Sequence, residues 1–267
     1  MVEQELYLLK LGGSIITDKS KPQQPNLVTI RRDLRQIKEA RERKPFMLIL
    51  GHGGGGYAHM PAKKYRVNEG LVYEDSKKGA AITHLGAKAL NTLVVTEGLG
   101  MGLPLFPFHP SSFGIWKEGK PRRVMLDSMR VSMGCGFIPV THGDVVIDSE
   151  KGVSIASTEN VFLSLVPEMK PTKIILATNV DGVLDYTGNS PTEPIKLIDG
   201  KSLGRLLGIT AGSRNTDVTG GMRTKLDLLY EMVRKSNREG LIINGCKRDR
   251  IFKALLGEDV TGTIVRK

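Results

Sequence analysis

The sequence has few cysteines, few aromatic residues and no long hydrophobic run. Its two cysteines, Cys135 and Cys246, lie far apart and lack the close spacing of metal ligands. Isolated cysteines of this kind are typical of free thiols in a reducing compartment. No stretch approaches the roughly 20 apolar residues of a membrane span, and the N-terminus, with Glu3 and Glu5, has no apolar signal segment. We therefore expect a cytoplasmic protein without a membrane anchor.

Acidic residues are outnumbered by basic ones. The 267 residues include 39 Lys plus Arg against 28 Asp plus Glu, which gives a formal net charge of +11. Such a charge suits nucleic acid, an anionic surface or phosphorylated small molecules. The basic residues are scattered, and an aromatic content of 5% leaves few rings on which bases could stack. The composition therefore favours phosphate-bearing small molecules over nucleic acid.

The order of the predicted elements indicates a parallel α/β fold. An apolar strand at residues 6–9 precedes an amphipathic helix at residues 27–43, and a second strand follows at residues 46–50. This β-loop-α-β order is typical of a parallel sheet covered by helices. Further strands are predicted at residues 103–108, 136–140, 173–177, 240–243 and 262–265, hairpins at 114–123 and 145–155, and helices at 76–97 and after residue 222.

A glycine-rich stretch follows the second strand and reads Gly51-His52-Gly53-Gly54-Gly55-Gly56-Tyr57-Ala58-His59. Because glycine has no Cβ, an anion can approach the backbone N–H groups of such a turn closely. The stretch satisfies the dinucleotide pattern G-x-G-x-x-G, as any glycine run does, but lacks the βαβ context of that motif. It predicts an anion-binding turn with His59 as a further donor; a mobile surface loop is the alternative.

Two more glycine turns, at residues 12–13 and 220–221, lie where a strand ends or a helix begins. Four cationic or hydrogen-bonding side chains accompany the three turns: Lys10, Lys19, His59 and Lys225. Phosphoryl transfer spreads charge over the oxygens of its transition state, so catalysis depends on positioning and cationic stabilisation. Each lysine alone would be typical of a solvated surface charge, but their joint placement at the turns predicts phosphoryl transfer.

Taken together, these motifs resemble the amino acid kinase superfamily and, within it, the isopentenyl phosphate kinase family. The resemblance rests on Lys10-Leu11-Gly12-Gly13-Ser14, Asp18-Lys19, Gly53-Gly54-Gly55 with His59, Asp144, Asp181-Gly182-Val183, and Thr219-Gly220-Gly221-Met222 with Lys225. It spans nearly the whole chain. It implies an open αβα sandwich with a mainly parallel central sheet, and ATP- and Mg²⁺-dependent phosphorylation of isopentenyl phosphate to the diphosphate, in the alternative mevalonate route of isoprenoid biosynthesis. It also suggests a homodimer.

The resemblance assigns roles to individual residues. The ATP phosphates are assigned to Lys10, Leu11, Gly12, Gly13, Ser14 and Lys225, and the nucleotide side to Gly55, Asp181, Gly182 and Gly221. The acceptor phosphate is assigned to Gly54, His59 and Thr158, and the transferring group to Lys19. Asp144 is expected to orient the lysines or to stabilise its own turn. Pro171 marks the expected boundary between an acceptor-binding lobe (residues 1–170) and a nucleotide-binding lobe (residues 171–267).

The chain departs from the family pattern at three places. Ser157-Thr158-Glu159-Asn160 stands where the family has Ser-Gly-Asp-Asp, Asn179 replaces an aspartate, and Tyr57 adds a hydroxyl near the glycine run. The first two concern substrate preference more than kinase chemistry. A sister kinase acting on another phosphate or phosphonate, such as a fosfomycin-type acceptor, is one alternative, and a non-catalytic nucleotide- or RNA-binding protein is another. An apolar pocket around residues 82–90 and 126–160 would favour a prenyl phosphate.

Overall fold

The computed structural model describes residues 4–18, 20–184, 193–204, 206 and 220–267. Its central sheet has eight strands: β1 (Leu6–Leu11), β2 (Met47–His52), β3 (Leu105–Pro107), β6 (Ile138–His142), β9 (Lys173–Thr178), β10 (Leu197–Ile198), β11 (Glu239–Asn244) and β12 (Gly262–Val265). Their order is β10-β12-β11-β9-β1-β2-β6-β3. Only β11 and β12 pair antiparallel, so the predicted mainly parallel sheet is confirmed.

A second, four-stranded sheet lies beside the first, with the order β5-β4-β7-β8. Its strands are β4 (Gly114–Lys117), β5 (Lys120–Val124), β7 (Asp144–Asp148) and β8 (Gly152–Ala156). The described α-helices are α1 (Gly13–Ile16), α2 (Leu27–Arg43), α3 (Gly55–Lys64), α4 (Ser76–Gly100), α5 (Pro110–Phe113), α6 (Asp127–Gly134), α7 (Thr158–Met169), α8 (Gly220–Ser236) and α9 (Arg250–Leu256). None of the helices in the described ranges is long and apolar enough to cross a bilayer.

Helices cover both faces of the large sheet because successive side chains of a strand point to opposite faces. On β1, Leu9 and Leu11 pack in one core cluster with α2, α4 and α9. Leu6 and Leu8 pack in the other cluster with α7 and α8. The result is the αβα sandwich that the sequence predicts.

The parallel strands β1, β2, β6 and β9 end at the same edge of the sheet, and the turns that follow them meet there. The first two turns touch through glycine backbone. A Cβ on Gly13 would lie 2.7 Å from Gly55 N, and one on Gly53 would lie 2.6 Å from Gly13 N. Since real Cβ atoms do not approach so closely, only glycine permits this contact.

The structure corrects the sequence analysis in several places. The glycine run is not a loop: Gly51 and His52 end β2, and α3 begins at Gly55 and contains Pro61. Tyr57 is buried in the core rather than directed into a site. Helices α6, α7 and α9 were not predicted. The large sheet continues across Pro171, since β9 pairs with β1, and the division into two lobes stays a prediction.

Candidate active site

A cavity of about 400 Å³ opens where the turns meet. Ten of the residues predicted for the site line it: Lys10, Gly12, Gly13, Ser14, Gly54, His59, Asp144, Thr158, Gly221 and Lys225. We call the part of the lining from α3 and the Gly53–Gly54 turn before it, α4, β7 and β8 the α3 end, and the part from the Gly12–Gly13 turn, α8 and the end of β9 the α8 end. Lys10, on the central strand β1, belongs to the lining between the two. One cavity therefore collects residues from the whole length of the chain.

The amino ends of three helices contribute to the cavity lining. Gly54 precedes α3, Thr158 opens α7, and Gly221 lies in the first turn of α8. The first N–H groups of a helix lack partners within it, and the helix dipole gives them a partial positive charge. Together with the side chains of Lys10 and Lys225, they suit a ligand that carries more than one phosphate group.

The two lysines that line the cavity, Lys10 and Lys225, are held differently. Lys10 forms an ion pair with Glu159, and the exposed fractions of the two side chains are only 8% and 4%. Lys225 is half-buried, and its Nζ donates to Gly221 O at 3.0 Å. Burial by itself would raise the pKa of Glu159, but the charge of Lys10 and its hydrogen bond outweigh burial and lower that pKa. Glu159 is therefore ionised and fixes Lys10 at the floor of the cavity.

Glu159 is the site residue that the sequence analysis missed. It was noted only as a departure from the family pattern, while Asp144 was expected to orient the lysines. In the structure, Asp144 pairs with a histidine instead: His84 Nδ1 lies 2.9 Å from Oδ1 and 3.0 Å from Oδ2 of the carboxylate. This hydrogen bond raises the pKa of His84, although burial opposes it. The carboxylate that meets a lysine is thus on α7, not on β7.

Thr158 stands where the family pattern has glycine, and its side chain is bound to the end of β2. It is buried, and its hydroxyl donates to His52 O at 2.7 Å. Two glycines leave room for the side chain: a Cβ on Gly51 would lie 2.8 Å from Thr158 Cγ2, and one on Gly143 would lie 3.3 Å from Thr158 Oγ1. The hydroxyl of Thr158 is therefore bound to the end of β2, and its backbone stays at the start of α7 beside the cavity.

Four of the predicted site residues do not line the cavity. Leu11 is a core residue whose carbonyl accepts a hydrogen bond from Gly53 N at 3.0 Å. Gly55, with φ +49°, packs so closely on Thr17 that no side chain would fit. Asp181 and Gly182 lie beyond the lining, and a Cβ on Gly182 would lie 2.5 Å from Thr263 Oγ1. The nucleotide-binding roles of these residues stay predictions.

Lys19 lies outside the described residues. For metal binding, the described part of the chain contains no group of three or more His, Cys, Asp or Glu side chains placed to hold an ion.

The α3 end has an apolar wall. Small or apolar side chains from α3, β7 and β8 form it: Ala58, Ala62, Val145, Ile155 and Ala156. Thr83 on α4 also lines it, whereas Ile82, an apolar residue suggested for this wall by the helix pattern, is not part of the lining. The wall lies in the same cavity as Gly54 and His59, which makes this end suitable for an anionic head group with a short hydrocarbon tail.

Comparisons with known proteins agree with this geometry. The model of the Amino acid kinase family matches residues 5–244. The isopentenyl phosphate kinase of Methanocaldococcus jannaschii is 35% identical, with 97% of each chain covered, and that of Methanothermobacter thermautotrophicus is 34% identical, with 97% of this chain and 98% of the relative covered. An X-ray structure of an isopentenyl phosphate kinase superposes with a TM-score of 0.82 at 28% identity, covering 97% of this chain and 99% of the other.

The fold, the glycine turns and the match over most of its length show that this chain belongs to the amino acid kinase family. Within that family it belongs with the isopentenyl phosphate kinases, to which it is similar almost from end to end.

Proposed function

We propose that this chain transfers a phosphoryl group from ATP to isopentenyl phosphate, giving isopentenyl diphosphate by direct in-line displacement. The observation that carries the proposal is a single cavity in which Lys10 is part of the lining between two anion-binding helix ends, one of them beside an apolar wall. The names of the relatives supply the identity of the acceptor.

The α8 end suits the nucleotide. Gly12 and Gly13 offer close backbone approach, Gly221 lies at the start of α8, and Lys225 supplies a positive charge. A kinase of this kind uses Mg²⁺ to neutralise the phosphates. Since the described residues offer no cluster of metal ligands, we place the ion on ATP oxygens and water, an arrangement common for Mg²⁺.

The α3 end suits the acceptor. Gly54 precedes α3 and His59 lies in its second turn, so that backbone N–H groups and an imidazole can bind the acceptor phosphate. The acceptor phosphate is already anionic, so its attacking oxygen needs no general base. His59 would therefore donate a hydrogen bond rather than remove a proton.

Lys10 is suited to the transferring group. Charge accumulates on the phosphoryl oxygens during transfer, and a cation fixed in a poorly hydrated site stabilises that charge at little reorganisation cost. Glu159 holds the ammonium in place before the substrates arrive. Lys19, predicted for the same group, stays a prediction.

The apolar wall favours one of the two kinase alternatives. A prenyl tail would pack on Ala58, Ala62, Val145 and Ile155, whereas fosfomycin carries only a small, polar epoxide group beyond its phosphonate. We therefore place isopentenyl phosphate ahead of a fosfomycin-type acceptor.

The test is an ADP-release assay of the purified protein with Mg-ATP and, in separate reactions, isopentenyl phosphate, dimethylallyl phosphate and fosfomycin. We expect turnover with isopentenyl phosphate and a fall of about ten- to a hundredfold in kcat/KM for His59→Ala, the value of a hydrogen bond to a charged oxygen. Turnover with fosfomycin alone would overturn the prenyl assignment while leaving kinase chemistry intact.

The resemblance also leads us to propose a homodimer. Sedimentation equilibrium of the purified chain tests this directly, since a monomer at micromolar concentration would contradict it.

A further inference from the structure

Four of the five histidines form a row behind the α3 end. His52 stacks on His142 with ring centroids 5.4 Å apart, and the centroid of His109 lies 5.2 Å from that of His142. His84 follows at 6.3 Å from His109. His52 and His142 are register partners at the ends of the parallel strands β2 and β6. Each is followed by a glycine that lines the cavity.

The contacts of His52 fix where its ring proton lies. Nδ1 lies 3.2 Å from Gly53 O, and Nε2 lies 3.0 Å from Asn91 Nδ2. A carbonyl oxygen can only accept and an amide nitrogen can only donate. The proton is therefore on Nδ1, and Nε2 accepts from Asn91. Burial lowers the pKa of His52 to about 3, so the ring is neutral.

His142 repeats the arrangement on the neighbouring strand. Its Nδ1 lies 3.1 Å from Gly143 O, and its Nε2 lies 2.9 Å from His109 Nδ1. The proton of His142 is again on Nδ1, since only a donor can bond to the carbonyl. The two His-Gly pairs thus lie in register on adjacent strands. In each pair, the histidine Nδ1–H donates to the carbonyl oxygen of the glycine that follows it.

The consequence for the cavity follows from the planarity of the peptide group. In a trans peptide, the C=O of one residue and the N–H of the next point in opposite directions. Gly53 C=O is bound to the buried ring of His52, so Gly54 N–H points away from that ring. Gly54 lines the cavity, and its N–H has no hydrogen-bond acceptor among the described residues.

We propose that His52 is a positioning residue for the acceptor phosphate: by holding Gly53 C=O, it turns Gly54 N–H toward the cavity before the substrate binds. His142 has the parallel role for the Gly143 turn that carries Asp144. Neither imidazole touches the substrate or exchanges a proton. The reference to an acceptor phosphate rests on the proposed function, while the tautomer and the peptide orientation do not.

The first test is spectroscopic and uses the wild-type protein without substrate. Long-range ¹H–¹⁵N correlation spectra of the imidazoles distinguish the Nδ1–H from the Nε2–H tautomer, and the latter predominates for free histidine in water. We expect His52, assigned by its absence from the spectrum of His52→Asn, to be neutral and protonated on Nδ1 throughout the pH range in which the protein is folded. An Nε2–H or titrating His52 would overturn the proposal.

The second test compares two variants of matched size. In His52→Asn, the side-chain amide nitrogen can replace Nδ1 as the donor to Gly53 O, whereas His52→Leu has no donor. We expect His52→Leu to raise KM for isopentenyl phosphate about tenfold, corresponding to one lost hydrogen bond to a charged group, with KM for ATP changed less than about twofold. His52→Asn should retain an acceptor KM near that of the wild type.

If His52 served only to stabilise the fold, both variants would have a lower melting temperature. Neither variant would then change the KM for isopentenyl phosphate without also changing the KM for ATP. That pattern would overturn the positioning role, as would an unchanged acceptor KM in a folded His52→Leu protein. If His52→Leu does not fold, the tautomer of His52 in the wild-type protein decides the proposal, and His142→Leu and His142→Asn test only the parallel role at the Gly143 turn. If isopentenyl phosphate gives no turnover, the KM comparison is made with whichever acceptor supports ADP release. The tautomer measurement uses no substrate and does not depend on the acceptor.

Discussion

The two ends of the cavity present positive potential by different means. At the α8 end a lysine side chain, Lys225, lies in the first turns of a helix. At the α3 end the donors are backbone N–H groups and His59, backed by neutral, buried histidines. Mobile ammonium groups tolerate a flexible polyphosphate. Under the proposed function, fixed backbone donors beside an apolar wall would instead select one head group and one tail, so we expect substrate specificity to be concentrated at the α3 end.

Lys10 belongs to neither end, and its removal should have the largest effect. We expect Lys10→Met to lower kcat by about 10²- to 10³-fold, the loss found when one preorganised transition-state donor is removed, with a smaller change in KM for the acceptor. Rapid-quench measurement of the transfer step tests this. The variant also leaves Glu159 as a buried charge without its partner, which destabilises proteins by about 3–5 kcal/mol.

The double variant Lys10→Met with Glu159→Gln separates these two effects. Its melting temperature should be higher than that of Lys10→Met, because position 159 no longer carries an unpaired charge. Its activity should stay as low as that of Lys10→Met. If activity returned with stability, Lys10 would be acting only as a partner of Glu159.

The contact between the glycine turns holds the two ends at a fixed separation. Gly53→Ala would place a Cβ 2.6 Å from Gly13 N, so the turns must move apart. Because small displacements of reacting groups are costly, we expect kcat/KM to fall about ten- to a hundredfold for both substrates. The measurement is steady-state kinetics with ATP and with acceptor varied in turn.

Gly134→Ala is the matched control. Gly134 lies in α6, and a Cβ there would meet no atom within 4 Å. Since alanine is favoured over glycine in helices by about 0.5–1 kcal/mol, this variant should keep its activity and gain slight stability. Equal losses in the two variants would show that the glycine contact is not what matters.

A substitution in the apolar wall should change the KM for the acceptor but not the KM for ATP. Ile155 lines the α3 end, so Ile155→Asn should raise KM for isopentenyl phosphate about tenfold, as expected for a mismatch of one aliphatic group, and leave KM for ATP unchanged. Ile147→Asn, on the neighbouring strand β7, changes a side chain that is 56% exposed and outside the lining. It should behave as wild type, and a parallel loss there would point to damage of the small sheet instead.

The sequence predicted the features that depend on local pattern. Apolar runs followed by glycine predicted β1, β2 and the turns, and the cationic or hydrogen-bonding side chains beside those turns include Lys10, His59 and Lys225, all of which line the cavity. The parallel sheet covered by helices followed from the order of strands and helices, and the sandwich architecture was implied by the family resemblance. These signals lie within one element and its neighbour, so no knowledge of strand order was needed.

The remaining site features depend on strand order and register. Lys10 meets Glu159 because α7 follows β8 and returns over β1 and β2, which local sequence does not reveal. His52 and His142 stack because β2 and β6 are parallel neighbours in a particular register. Asp144 was assigned to the lysines by the family resemblance, and only its packing against α4 shows that His84 is its partner.

The smallest predicted effect concerns the His84–Asp144 pair at the α3 end. The hydrogen bond to Asp144 raises the pKa of His84 above 6.5, so the folded state favours the protonated ring. The resulting stabilisation is present below pH 6.5 and is lost as the pH rises through the raised pKa. Because His84 is partly exposed, we expect only about 0.5–1 kcal/mol, measured by melting temperature across that range.

His84→Gln should remove this pH-dependent part of the stability while leaving the rest of the profile unchanged. Asp144→Asn should remove the same part, and the double variant should remove no more than either single one, because the two side chains share one interaction. A pH slope that survives in both single variants would assign the titration to another group.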